Sequence, residues 1–290
     1  MVLSLILVGC NNNQPEPTAP VTVHVDGFSI SQEDFPSSPQ APARAAAEVK
    51  PAAEYNGIKA LTLAFYDGNT EVYKATQLKD DATTYTTFGE FSLALPMGSY
   101  TMVVLGYVLY DDDELTLTSP SQAEYTGGYP RETFAATQEV NITNTSAVEL
   151  TATLNRIIAC LQVISTDGRT ANVSKVRMTF SAGGKAFDPT TGLATVNTGS
   201  VSTVGVSATV GTTSTSTGFV FLYTDDQTMD VTIETLDAEG NTIYTKTVNE
   251  VPFQRNRKTK LTGAIYTNNG VSCSFLVNTS WLDEEDPISF

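Results

Sequence analysis

The period of its apolar residues limits this chain more than any other feature. They alternate in short runs separated by turn residues. VTVHVDGFSI (21–30), with Val21, Val23 and Val25 on one face, reads this way, as do IKALTLAFYDG (58–68), VSKVRMTFSA (173–182) and MDVTIETLDAEGNTIYTKTV (229–248). A period of two puts every second side chain on one face, so each run predicts a half-buried β-strand. Asp67-Gly68, Asp188-Pro189 and Asp237–Asn241 supply turn chemistry between runs. No window sustains an apolar period of 3.6, although TSPSQAEY (118–125) has room for one helical turn. The expectation is an all-β chain. At 290 residues and 41% hydrophobic content it is large enough for two β-sandwiches.

The two sandwiches are expected over residues 21–152 and 153–290, dividing near Thr151–Asn155. FGEFSLALPMGSYTMVVLGYVL (88–109) predicts two strands around Pro96-Met97-Gly98. RIIACLQVIST (156–166) predicts a buried strand, with Ile157, Ala159, Leu161 and Val163 on one face and Cys160 on the other. VNTGSVSTVGVSATVGTTSTSTG (196–218) reads as weak strands or a mobile loop. SQEDFPSSPQAPARAAAEVKPAAE (31–54), rich in Pro, Ser and Ala, reads as a long exposed loop.

The N-terminus is of another kind. Val2–Val8 is a short apolar run, too short for the about 20 residues that a membrane span needs. Leu7-Val8-Gly9-Cys10 fits the lipobox of bacterial lipoproteins, in which the cysteine is acylated, for example by palmitate. Residues 1–20 are therefore expected to be a lipoprotein signal and tether, with Cys10 as the lipidated residue. The alternative is a chance apolar start with a free thiol. No Lys or Arg precedes Cys10, so the natural start is expected to lie upstream. Cys160 and Cys273 remain, either as a disulfide or as two buried thiols.

Composition and motifs speak against chemistry. Sixteen basic against 32 acidic residues give a net charge of −16, which argues against nucleic acid, whose phosphates demand a basic face. His24 is the only histidine, so a Ser-His-Asp or Cys-His site has one candidate, in an N-terminal strand where an exposed or packing role is expected. No Cys/His cluster has zinc spacing, and Gly183-Gly184-Lys185 lacks P-loop spacing and reads as a turn. Asp111–Glu114 and Asp283–Asp286 are acidic runs without EF-hand order, expected to be solvated loops. No motif marks a cofactor or a metal site. Paired carboxylates for glycoside hydrolysis stay open, as an uncharacterised hydrolase, because their separation is a property of the fold and nothing local points to one pair.

Several segments together resemble the fimbrillin family, the type V pilins of Bacteroidales-type bacteria. They are the lipobox at Cys10, the strand VTVHVDGFSI, the following loop with a lone arginine (PARAAAE), and IKALTLAFYDG. Further on come LPMGSYTMVVLGY, LNRIIACLQV, VPFQRNRKTKLTGAIYT and a short final strand with Trp281. The resemblance implies two transthyretin-like β-sandwiches in tandem and a structural subunit rather than an enzyme, at the cell surface and reached through the outer membrane as an exported lipoprotein. It implies cleavage by a trypsin-like, Arg-specific protease between Arg44 and Ala45. Loss of the first strand, with Val21, Val23, Val25 and Phe28, then opens a groove for a donor strand from another fimbrial subunit. The candidate donor is residues 272–290, with Phe275, Val277, Trp281, Ile288 and Phe290. The tail after Trp281, LDEEDPISF, is acidic and short of apolar residues, unlike a donor strand. A different class of reading is a monomeric surface lipoprotein that binds glycan or host protein through exposed loops such as 111–130.

Overall fold

The structure is a computed structural model and describes residues 16–30, 48–50, 52, 54–55, 57–81, 83, 85–110, 114–267 and 276–279. No helix occurs among them, so the described chain is all-β. The reason is the one legible in the sequence: alternating side chains bury one face of a strand and leave backbone groups to be paired by neighbours.

The first half begins with β1 (Thr18–Ile30), β2 (Glu48–Lys50), the hairpin β3 (Ala60–Asp67) and β4 (Thr70–Leu78), β5 (Glu90–Pro96) and β6 (Gly98–Tyr107). The hairpin β7 (Glu114–Ser119) and β8 (Gln122–Gly127) leaves this sheet. β9 (Thr133–Ile142) and β10 (Val148–Arg156) return to it. β4, β3, β6 and β9 form one antiparallel layer. β1, β2, β5 and β10 form the facing layer, and only Asn155 and Arg156 of β10 pair with β9 to join the two at a corner. Between the layers lie Val21, Val23, Leu61, Leu63, Phe65, Phe91, Met102, Val104, Phe134 and Leu154, all buried.

The second half packs two four-stranded sheets in the same way. One contains β11 (Ala159–Ser165), β16 (Thr215–Val220), β19 (Lys258–Gly263) and β20 (Leu276–Thr279). The other contains β12 (Lys175–Phe180), β15 (Ser200–Gly205), β17 (Asp226–Leu236) and β18 (Thr242–Gln254). Leu161, Val163, Val176, Met178, Phe180, Val231, Ile233, Val251 and Phe253 fill the space between them. The β17–β18 hairpin turns where the sequence placed it: the Asp237 carboxylate accepts from the Asn241 N–H at 2.7 Å. The Ser/Thr/Gly-rich stretch 196–218 holds β15 and the start of β16.

A third core was not foreseen. The two short strands β13 (Ala186–Asp188) and β14 (Leu193–Ala194) leave the second half and join β8 and β7 of the first in one small sheet. It covers the outer face of β3 and β6. Ala60, Tyr66, Val103, Leu105, Tyr125, Cys160, Phe187, Phe219 and Phe221 meet there, with the Phe187 and Phe221 rings stacked at 4.1 Å. This apolar layer joins both halves.

Two expectations are corrected. Residues 156–166 are not one strand, because β10 ends at Arg156 and β11 begins at Ala159. Ile157 and Ile158 carry the chain from one sheet to another. Ile157 therefore packs with Cys160 in the middle core, while Ala159, Leu161 and Val163 face the second core. Residues 118–125 form no helical turn but the β7–β8 hairpin, because Leu117, Ala123 and Tyr125 alternate into the middle core.

Candidate functional site

β1 is the element whose placement carries functional meaning. Its alternation buries Ala19, Val21, Val23 and Val25, each at most 6% exposed. Thr22 and His24 lie on the other face, where His24 Nε2 sits 3.0 Å from Glu149 Oε2 in a half-exposed pair. A first strand is commonly placed at a sheet edge. Here β1 is paired on both sides. On one side it runs parallel to β10, from Val21↔Val148 to Ser29↔Asn155, with a bulge between Val25 and Gly27. On the other it is antiparallel to β5, from Thr18↔Pro96 to His24↔Glu90, and then to β2, from Phe28↔Lys50 to Ile30↔Glu48. The bulge is met by a close approach. The Val25 N–H donates to Gly89 O at 2.7 Å, and Gly89 has φ +93°, a backbone conformation that side chains disfavour, with a tight 3.2 Å from an added Cβ to Val25 O.

Taking β1 away would leave a slot one strand wide. Its walls would be the unpaired edges of β5 and β10, and its floor Phe91, Leu95, Ala152, Leu154 and the facing Leu61, Leu63 and Val104. Unpaired edges beside an apolar floor are a template for another strand. The segment that follows the 31–47 connection does not depend on β1 alone. Ala52 is buried, the Tyr55 hydroxyl donates to Glu132 Oε1 at 2.8 Å, and Lys79 Nζ donates to Tyr55 O at 2.8 Å.

Tyr55 belongs to a buried polar cluster beside the slot. Arg156 donates from Nε to Glu132 Oε1 at 2.7 Å, from one terminal nitrogen to Asn256 Oδ1 at 3.1 Å, and from the other to the Tyr55 hydroxyl at 3.0 Å. Its guanidinium lies 4.8 Å from the Phe134 ring centroid. The Arg156 and Glu132 side chains are only 2% and 5% exposed. Burial, and then the nearby Glu132 carboxylate, push the Tyr55 hydroxyl well above its usual range. The cluster was missed from sequence, where Arg156 counted only as part of LNRIIACLQV. A lone charge inside an apolar run was the available signal.

Cys160 is a free, fully buried thiol, and burial pushes it up to about 12, with Lys258 opposing. It is a packed side chain and not a nucleophile. Ellman's reagent is expected to leave it unmodified in the native protein and to react once denaturant is added. Rapid native labelling at Cys160 would contradict the packing. Since only the unfolded chain loses this proton between the ordinary cysteine value and about 12, stability is expected to fall as pH rises through that window.

Of the residues singled out from sequence, Val21, Val23 and Val25 are the β1 side chains that fill the slot. Phe28 falls in β1 opposite Leu154. Val277 falls in β20, an edge strand paired with β19 at Leu261. Cys10, Arg44, Ala45, Phe275, Trp281, Ile288 and Phe290 lie outside the described residues. Among the described residues no three His, Cys, Asp or Glu side chains converge on a common point as metal ligands.

The sequence profile of a family of unknown function, DUF6562, matches residues 22–286. Comparison with curated proteins returns no match. Among solved structures, a candidate adhesin from Bacteroides ovatus is 13% identical with a TM-score of 0.51, over 93% of this chain and 97% of that one. A second candidate adhesin, from Bacteroides ovatus ATCC 8483, is 10% identical with a TM-score of 0.50, over 86% and 87%. The fimbrial anchor protein Mfa2 from Porphyromonas gingivalis is 14% identical with a TM-score of 0.45, over 91% and 96%. At such identities the two adhesin candidates share a fold with this chain. What agrees with the expected fimbrillin resemblance is the fold alone.

Proposed function

The chain belongs to DUF6562, a family of unknown function, and we propose that it is a structural subunit of a cell-surface fimbria, built as tandem transthyretin-like sandwiches and assembled by strand exchange. One observation carries this reading: β1 is a core strand paired on both sides, and residues 31–47 connect it to the strands that follow. Export as a lipoprotein through Cys10 would bring the subunit to the outer membrane. A trypsin-like protease would then cut after Arg44, the only arginine between Cys10 and Arg131. From there β1 is held by noncovalent contacts alone, while Ala52 and Tyr55 keep the new N-terminal segment in place.

The incoming strand would come from residues 272–290 of the next subunit. Its backbone is fixed just before that point. The Asp167 carboxylate accepts from the Ile265 and Tyr266 N–H groups and the Thr267 hydroxyl, each at 2.9 Å. The chain can therefore leave β19 beyond Thr267 without disturbing the second core. Among the described residues β20 pairs with β19 over four residues, from Thr259↔Thr279 to Thr262↔Leu276. The fold shared with the adhesin candidates supports a role in adhesion.

Limited trypsin treatment is expected to cut first at Arg44 and to release ladders of higher mass. Arg44→Ala protein should stay monomeric, and truncation before Ser272 should stop chain growth. Mature filaments in which residues 21–30 are still covalently joined to Ala45 would overturn the cleaved-subunit reading.

A further inference from the structure

A second concave surface lies away from β1, where the small bridging sheet meets the second half. It is an open cleft of about 750 Å³, within the roughly 300–1,000 Å³ typical of ligand sites. β8 and the turn after it supply Gln122, Glu124, Tyr129 and Pro130. Lys185 comes from just before β13, the path into β15 supplies Thr195, Val196 and Thr198, and β15 itself supplies Val201.

The lining restricts what can bind. Val196 and Val201 are 45% and 40% exposed, unusually so for large apolar side chains in this molecule, and with Tyr129 and Pro130 they give the cleft an apolar strip. Amide and hydroxyl groups of Gln122, Thr195 and Thr198 share the lining. The charges cancel, with Lys185 Nζ 3.3 Å from Glu124 Oε1. The cation in the described lining, Lys185, is already paired with Glu124, so an anionic ligand gains little on a chain of net charge −16. A purely apolar ligand would bury Glu124 and Lys185 at a cost. A ligand with apolar C–H faces, hydroxyl edges and no charge satisfies both parts of the lining.

The site is also preformed. Asn197 Oδ1 accepts from the Gly183 N–H at 2.6 Å and from Gln227 Nε2 at 3.0 Å, and the Gly199 N–H donates to Gly183 O at 2.9 Å. Gly199 has φ +84°, and a Cβ there would lie 2.4 Å from Phe180 O, so the wall has one available path. The Arg131 guanidinium lies 4.9 Å from the Tyr110 ring centroid and 6.0 Å from that of Tyr129. Such ordering removes part of the entropic cost of binding.

We propose that this cleft binds a neutral oligosaccharide. Tyr129 and the Val196–Val201 strip take the sugar ring faces, and Gln122, Glu124 and Lys185 take the hydroxyls. The site shares no residue with the β1 slot, so binding and assembly are separable. The test is an array of neutral β-galactoside, mannan and xylan oligosaccharides probed with the intact protein, then calorimetry with the strongest binder. Wild type is expected to bind. Tyr129→Ala and Val196→Asp should each weaken binding at least tenfold, while Lys246→Ala, on β18, leaves it unchanged. Val196 is exposed, so its variant keeps the fold if Tyr129→Ala does not, and thermal melts report this. The proposal is overturned by no binding to any neutral oligosaccharide, by binding that survives both cleft variants, or by a preference for sulfated or uronic glycans.

Discussion

A chain that starts at Ala45 is expected to lose much of its stability and to recover it when a peptide of sequence TAPVTVHVDGFSI is added. The three valines of β1 that face the core are worth about 1.5–3 kcal/mol each. Together they are a large share of the about 5–15 kcal/mol by which a folded domain is stable. The ladder bonds to β5 and β10 are lost with them. The melting temperature should fall on the order of 10–35 °C, given about 2–4 °C per kcal/mol in a large domain. The effect should be confined to the first half, because the second core contains no residue of β1. A peptide carrying Val23→Asp should not rescue, since it would place an unpaired charge at a fully buried position. Unchanged melting after removal of β1 would show that the slot closes on itself and would undercut strand exchange.

The second large effect concerns Arg156. Replacing it by Ala leaves Glu132 as a buried carboxylate with its principal cation gone, and also removes donors to Asn256 and Tyr55. Breaking one side of a buried pair costs about 3–5 kcal/mol. Arg156→Ala is therefore expected to shift the urea midpoint strongly downward. The double variant Arg156→Met/Glu132→Leu should recover much of the loss, because it removes the stranded charge with its partner. A single variant that unfolds at the wild-type urea concentration would mean that water reaches the pair. Asn256 lies between β18 and β19, so the cluster ties the end of β10 to the second half.

The same positions show how much could be read early. β1 was legible because a strand with one buried face must alternate, and VTVHV does. The β17–β18 turn was legible because Asp237 to Asn241 carries its own turn chemistry. Arg156 was visible only as an oddity, a charge amid LNRIIACL. Its partner Glu132 sits on another strand, and nothing local announces the pair. Ile157 was assigned to the wrong face because a two-residue change of sheet looks like a continuous strand when only apolarity is read.

The sequence by itself therefore determined the all-β class, most strand positions and which face of each strand is apolar, because these depend on local period and turn residues. Only the tertiary structure decided which strands pair. Backbone ladders are chemically alike in every strand, so nothing in VTVHV specifies β10 on one side and β5 on the other. The bridging sheet, in which β8 meets β13, and the stacked Phe187–Phe221 pair arise from surfaces that exist only once both halves are folded. The slot around β1 and the cleft beside Tyr129 are of the same origin: each is enclosed by residues far apart in the chain, brought together by burial that has no local signature.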